Sequence, residues 1–389
     1  MTNNLKKYYD GIQSVLLLSN LFSEDTAAPY LDYRLAENLY CTCIDNVDNL
    51  GRLDIAIDAI SNKKTGVGIK TFIHQNGSTN QKIAEFNKDK NLYDALIPLD
   101  KIRKIAELRN LRLAFAKDTY DLDSLIYHCI TRDKDKVIRF FNTPMDFIDI
   151  KNIKKVEVSE ATIKFTDNKN DYSFNLSKST LYKRFAFKEG ELIHSFKAVV
   201  PINPLSILIN SFSDITTDII PVKEENYVIL PLYSYSSARG KYVPIKSGLN
   251  QWNAAGRKRD PNEVYIPLSR KIHHYFENKY PKNAVKFFPN RDTAFNLYLP
   301  NGETLEAKLC QDLSKAIMSN PNRALGEWLL RDVLKLKEGE LLTYETLQEV
   351  GVDSVKITQI DNESEKLSYT IEFCSIGAYD EFAINNYIL

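Results

Sequence analysis

Residues 52–73 read RLDIAIDAISNKKTGVGIKTFI. Two runs of apolar and β-branched residues, about 53–60 and 66–73, flank the polar turn Ser61 to Thr65, which predicts a pair of strands. Side chains alternate across a strand, so Asp54, Ala56 and Asp58 share one face of the first run, and Gly68 and Lys70 one face of the second. An acid set against a lysine across adjacent strands suits metal-assisted attack on a phosphate. Carboxylates hold Mg2+, which neutralises the phosphate and activates water, and the ammonium positions or deprotonates that water. The same two residues also suit an ordinary exposed ion pair.

The flanking segments supply further acids. Glu37 stands on a helix predicted over about 32–44. Glu85 stands on a helix predicted over about 79–89 (TNQKIAEFNK), with Gln81 four residues earlier on the same face. The arrangement resembles the active site of PD-(D/E)XK nucleases, where an acid on one strand faces a lysine two residues past an acid on the next. This chain departs from that pattern at Gly68, where the family has Glu or Asp. Some members place the second carboxylate on the helix after the lysine strand, which points to Glu85. The resemblance implies Asp58 and Glu85 as Mg2+ ligands, Asp54 as an alternate or helper, Lys70 as the water-orienting group, and Glu37 as another possible metal partner. Asp149-Ile150-Lys151 and Glu306-Ala307-Lys308 spell the same acid-x-lysine element. The first lacks a convincing acidic strand before it, and the second lies in a segment read differently below.

Further from the hairpin, the pattern alternates between helix and strand. An amphipathic helix is predicted over about 12–23 and a long one over KIRKIAELRNLRLAFAKD (101–118). Strands follow near 124–131 and 136–141, then a hairpin within 155–185 (VEVSEATIKFTDNKNDYSFNLS) that turns at Asp167 to Asp171. The polar stretch 210–226 is expected to separate a domain over 1–220 from one of short strands over 227–389. A length of 389 residues fits two or three domains, and 43% hydrophobic with 26% charged residues is ordinary for globular chains. No apolar run reaches the roughly 18 residues of a membrane span, so no membrane partner is expected. Five scattered cysteines, an odd number, argue for a reducing, cytoplasmic setting. Cys41-Thr42-Cys43 has no second pair with which to hold zinc. The phosphate loop, G-x-G-x-x-G, G-x-S-x-G, H-E-x-x-H and H-x-K-x-x-x-x-D patterns are missing. Nucleotide-driven, dinucleotide-dependent, serine-hydrolase and phospholipase-D-type chemistry are therefore unsupported.

The chain is neutral overall, with 51 basic and 51 acidic residues, but polarised at its end: residues 231–300 carry a net +8 and 301–389 a net −8. A basic stretch of this size can attract a phosphate backbone, and a solvated surface explains it equally simply. Its sequence, notably SGLNQWNAAGRKRDPNEVYIP (247–267) and LPNGETLEAKLCQDLSKAIMSNPNRALGEWLL (299–330), resembles the DNA-recognition domain of several type II restriction endonucleases. That domain is a pseudobarrel related to the plant B-three DNA-binding domain. The resemblance covers roughly 227–389 and implies two arms that grip the major groove of double-stranded DNA. One would carry Arg239, Lys241, Asn253, Arg257, Lys258 and Arg259, the other Ser319, Asn320, Asn322 and Arg323. These residue types suit such contacts, since Arg pairs with guanine, Asn with adenine, and lysines grip phosphates. Trp328, Leu325, Leu329, Leu330, Tyr265 and Phe295 are expected in the core instead.

The fold expected is therefore mixed α+β: an N-terminal α/β restriction-endonuclease-like (PD-(D/E)XK) domain and a C-terminal β-rich pseudobarrel. The function expected is a Mg2+-dependent type II restriction endonuclease, a homodimer when cleaving, with a companion DNA methyltransferase that is not a stable subunit. Two alternatives stay open. One is a sequence-specific DNA-binding protein with an inactive nuclease-like domain, which Gly68 favours. The other is a nuclease subunit that depends on a partner ATPase.

Overall fold

The second run of the hairpin stretch forms a strand, Thr65–Ile73, as its alternation predicts. The first run corrects the expectation: residues 53–55 lie outside the described residues, 56–58 are not in a strand, and the short strand that pairs is Ala59–Ser61, reaching into the expected turn. A sheet grows on both sides of the pair. The computed structural model describes residues 3–22, 28–44, 47–50, 56–62, 64–212, 226–250, 260–279, 287–291, 293–360 and 366–388. The chain divides into two compact units, one of residues 1–117 and 122–221 and one of residues 118–121 and 222–389.

The first unit opens with α1 (Asn3–Leu16), α2 (Ser19–Phe22) and α3 (Tyr33–Cys43). Strands β1 (Val47–Asn49), β2 (Ala59–Ser61), β3 (Thr65–Ile73) and β4 (Ser78–Glu85) follow, then α4 (Lys90–Tyr93) and α5 (Pro98–Thr119). It continues with β5 (Ser124–Arg132), β6 (Val137–Pro144), β7 (Lys154–Val158), β8 (Thr162–Thr166), β9 (Asp171–Asn175), β10 (Thr180–Ala186), β11 (Leu192–Lys197) and α6 (Leu205–Phe212). Six strands form one sheet in the order β1-β2-β3-β5-β6-β11. β3 and β5 run parallel, and α5 lies in the long crossover that a parallel pair requires. One face of this sheet is covered by α1 and α3, where Tyr8, Ile12, Leu16, Ala36 and Tyr40 pack on Val67, Ile69, Ile130 and Phe140. The four-residue spacing of Tyr8, Ile12 and Leu16 makes a helical stripe, so the first helix begins at Asn3 rather than near residue 12.

Residues 78–85 correct the helix expected over 79–89. They form β4, paired antiparallel with β10 from Ser78↔Ala186 to Glu85↔Thr180. Ile83 and Phe86 suit a helix by spacing, but the hydrogen-bonding partner that decides the matter arrives some 95 residues later in the chain. The segment 155–185 likewise forms not one hairpin but a meander, and β4 completes a second sheet in the order β4-β10-β9-β8-β7. α5 packs Ile102, Ile105, Ala106 and Leu108 against Ile163, Phe165, Phe174 and Leu181 of that sheet.

The second unit contains β12 (Tyr227–Pro231), β13 (Ser234–Ser236), β14 (Gly240–Tyr242), β15 (Ile266–Pro267), α7 (Arg270–Lys279), β16 (Phe295–Tyr298), β17 (Thr304–Cys310) and β18 (Ala316–Asn320). After these come α8 (Ala324–Gly326), α9 (Tyr344–Val350), β19 (Val352–Ile360), β20 (Ser368–Ser375) and α10 (Ala378–Asn385). Seven strands in the order β12-β19-β20-β16-β17-β18-β15 curl until the edge strands β12 and β15 touch, giving a nearly closed barrel-like sheet. Its interior is filled by the alternating residues Val228, Leu230, Phe295, Leu297, Leu309, Ile317, Val355, Ile357 and Phe373. Trp328 stacks on Phe373, and Leu325, Leu329 and Leu330 are buried, so these are core residues. Gly248 lets the Tyr265 ring close on the backbone, because a Cβ there would sit 1.9 Å from that ring. β13 and β14 stand apart as a two-stranded hairpin. Among the described residues, no helix is long and apolar enough to cross a membrane.

Candidate functional site

β2 pairs with β3 only across Ala59–Ser61 and Thr65–Val67. At Asp58 the chain leaves the ladder: its N–H still donates to the Val67 carbonyl (2.9 Å), and its carbonyl accepts from the Leu50 N–H (2.9 Å). The next amide on that edge, Ile69 N–H, donates instead to Asp58 Oδ2 at 2.6 Å. The carboxylate thus replaces a missing strand neighbour and is fixed beside β3 by the obligation of a backbone donor to find a partner. Lys70 reaches the same group, with Nζ 4.0 Å from Oδ2; the side chains of Lys70 and Asp58 are 29% and 23% exposed.

Glu37 joins them from α3. Asp32 caps this helix by accepting from the amides of Arg34 (2.9 Å) and Leu35 (3.2 Å). The entry to the helix is pinned to the ends of β3 and β5, since the Leu31 carbonyl accepts from Thr71 Oγ1 (3.4 Å) and Arg132 Nη1 (2.9 Å). Five residues past the cap, Glu37 is only 8% exposed. Its carboxyl is pushed up to about 7, first by burial and then by the negative charge of Asp58; Arg34 and Lys70 pull it down, and Asp32 adds a smaller rise. Asp58 and Lys70 therefore stand together where β2 and β3 part, and Glu37 lies near enough for both charges to act on its carboxyl.

The other sequence-derived candidates of this unit lie elsewhere. Glu85 belongs to the second sheet, where Lys82 (2.7 Å) and Asn87 (2.5 Å) bind its carboxylate. The Lys82 bond is the largest cause holding it below the usual carboxylate range. Asp54 lies outside the described residues. Asp149 to Lys151 form part of a short turn, with Asp149 bound to Asn152 (2.7 Å). Gly68 has a packing reason: a Cβ there would meet Met145 Cε at 2.7 Å and Tyr127 Cδ1 at 3.1 Å. Tyr127 is held in turn by Arg109, whose Nη2 donates to its hydroxyl at 2.7 Å, and Lys183 Nζ lies 5.7 Å from its ring centroid. The place of the missing acid is filled by the Tyr127 ring and the Met145 side chain. Among the described residues, no three His, Cys, Asp or Glu side chains converge to hold a metal, so the carboxylates brought together are the pair Glu37 and Asp58.

In the second unit, Arg239 is exposed at the tip of the β13–β14 hairpin, its guanidinium 5.4 Å from the Tyr242 ring centroid. Lys241 is drawn inward to Asp353 (2.9 Å) and Asp380 (2.7 Å). Asn253, Arg257, Lys258 and Arg259 fall outside the described residues. In the loop after β18, Ser319 is buried and works within the loop: its hydroxyl donates to the Pro321 carbonyl (2.9 Å) and accepts from the Leu325 amide (2.8 Å). Asn320, Asn322 and Arg323 are exposed. Asn320 donates to Glu306 (2.6 Å), and Arg323 pairs with Glu327 (2.6 Å). Glu306 also binds Lys366 at 2.7 Å, so Glu306-Ala307-Lys308 on β17 is structural. Sequence reasoning passed over Asp353 and Asp380. The signal for Asp353 was present, an acid inside the otherwise apolar and alternating run of β19.

None of the curated proteins compared with the chain matches it. Residues 227–361, about a third of the chain and most of the barrel-like unit, match the family model of the NgoFVII C-terminal B3-like DNA-binding domain, a restriction-enzyme module.

Proposed function

We propose that the chain is a Mg2+-dependent type II restriction endonuclease, whose second unit reads double-stranded DNA and whose first unit cuts it. The match of residues 227–361 to a restriction-enzyme DNA-binding domain supports the reader. The observation that carries the nuclease reading is the Asp58–Lys70 pair where β2 and β3 part, with Glu37 near enough to feel both charges. Glu37 takes the role of second carboxylate in place of Glu85.

The donor set fits the metal. A buried carboxyl whose proton affinity is raised by burial and by the Asp58 charge is stabilised by a shared hard cation, and Mg2+ commonly takes one or two carboxylates and fills its shell with water and phosphate oxygens. When bound, it supplies charge neutralisation at the scissile phosphate and an acidified water. The protein's own groups do the rest. Asp58 is locked by the Ile69 amide, so its free oxygen is presented without loss of side-chain entropy at the moment of use. Lys70, at 4.0 Å from Asp58, is near enough to feel it and loose enough to donate to an attacking water. The resemblance to PD-(D/E)XK enzymes implies 5′-phosphate and 3′-hydroxyl ends. Cutting both strands calls for two such sites, hence a homodimer on DNA, and a companion methyltransferase to protect the host.

One observation favours the reading as a DNA-binding protein with an inactive nuclease-like unit: the slot at Gly68 is closed by Tyr127 and Met145. The two readings diverge in one experiment. Full-length protein is incubated with plasmid and phage DNA in Mg2+ or EDTA, beside Lys70→Ala. Discrete fragments are expected that need Mg2+ and form roughly 10²–10⁴-fold more slowly in the variant. Intact DNA with a sequence-specific gel shift would sink the nuclease reading and leave the binding one.

A further inference from the structure

The hairpin β13–β14 has strands of three residues each and shares no ladder with the barrel. Two such strands do not hold themselves in place. Lys241 is a side-chain tie between β14 and the unit. Its ammonium lies 2.9 Å from Asp353 Oδ2 and 2.7 Å from Asp380 Oδ2, and 4.3 Å from the Tyr233 ring centroid. Each acid is anchored in turn. Asp353 is fully buried on β19, accepts the Gly377 amide at 3.2 Å and the Tyr344 hydroxyl at 3.3 Å. Asp380, on α10, accepts the Tyr233 hydroxyl at 2.7 Å. Two residues before Lys241 in the chain, Arg239 stands exposed at the turn, where its amide donates to the Ser236 carbonyl at 3.2 Å.

We infer that Lys241 is a positioning residue for DNA reading, which aims Arg239 by clamping the β13–β14 hairpin to Asp353 and Asp380, and that it makes no phosphate contact itself. The inference rests on the reading of the second unit as a DNA reader. Drawing an ammonium held between two carboxylates out to a phosphate would weaken both pairs, and fully buried Asp353 would lose its cation. The clamp joins β14 to β19 and α10, so its loss frees the hairpin and the arginine on it.

The test uses the full chain. Wild type is first used to enrich a motif from a randomised 20-base-pair duplex library; that motif and a scrambled duplex then serve as probes at several salt concentrations. In Asp380→Asn, which keeps the Lys241–Asp353 pair, affinity for the enriched duplex is expected to fall roughly 10-fold while binding to the scrambled one holds or rises. Simple electrostatics predicts the opposite for the enriched duplex, because removing an acid favours a polyanion. In Lys241→Met the slope of log affinity against log salt is expected to stay at the wild-type value. A slope smaller by about 0.9, with both probes weakened alike, would make Lys241 a phosphate contact and overturn the inference. Unchanged discrimination in both variants would overturn it too. Failure of wild type to enrich any motif would remove the DNA-reading premise instead, an outcome separate from either.

Discussion

Each unit holds one lysine with two acids, and the two groups are finished to different degrees. Around Lys241 the distances are 2.9 and 2.7 Å, both acids have further donors, and the ammonium is pulled above the usual lysine range by these acids against the opposing effect of burial. Around Lys70 the nearest carboxylate oxygen is 4.0 Å away, and the second acid, Glu37, is buried with its carboxyl pushed up to about 7. A saturated network holds a structure together. A looser one, in which a buried carboxyl is pushed up by a neighbouring acid and a lysine stands off, is the kind of charge arrangement that suits a candidate catalytic site. The same three residue types therefore mark a clamp in one place and a candidate active centre in the other, and the difference is read from what each charge lacks.

Stability offers the largest test of that contrast. Lys241→Met is expected to cost the second unit about 3–5 kcal/mol, because Asp353 is left charged and buried. Lys70→Met is expected to cost the first unit less than about 1 kcal/mol, since that pair is loose and part-exposed. Urea unfolding checks both: the chain's two tryptophans, Trp252 and Trp328, belong to the second unit and report it, and circular dichroism follows the whole. Equal losses would erase the distinction between clamp and active centre.

Protonation gives a second test. The folded state raises the Glu37 carboxyl from 4.5 to about 7, so the folded chain holds a proton there that the unfolded chain releases. Stability from this group is therefore present at low pH and lost as pH climbs through about 7, a change of about 3 kcal/mol. Glu37→Gln should raise stability at pH 8 by up to about that amount and leave it nearly unchanged at pH 4. An identical gain at both values would mean that Glu37 ionises freely and does not share a site with Asp58. The smallest effect concerns Glu85. Its exposed pair with Lys82 is worth less than about 1 kcal/mol, and Glu85→Gln should leave cleavage of plasmid DNA at the wild-type rate. A loss of more than about tenfold, beyond what a surface pair can explain, would return the second carboxylate to Glu85 and unseat Glu37.

The strand bearing Lys70 and the long helix over 98–119 were legible because alternation and helical spacing are local properties of the chain. So were the core roles of Trp328, Leu325, Leu329 and Leu330. The segment around Glu85 was misread as helix because Ile83 and Phe86 fit either period, and the deciding partner, β10, is distant in sequence. Glu37 was visible only as one of several nearby acids. Its distance from Asp58 depends on how α3 docks on the sheet, through the Asp32 cap and the Leu31 carbonyl, and no spacing in the chain encodes that.

By itself, then, the amino-acid order determined the strand that bears Lys70, the acid set against that lysine, and the likeness of the C-terminal third to a DNA-binding domain. Each of these is written in neighbours a few residues apart or in a contiguous motif. The tertiary structure decided which acid lies near enough to feel the Asp58 charge, why residue 68 is glycine, and that Lys241 faces inward while Arg239 faces out. Those outcomes depend on packing between elements far apart in the chain, where burial and the need to satisfy every polar group select one arrangement among many that the local pattern allows.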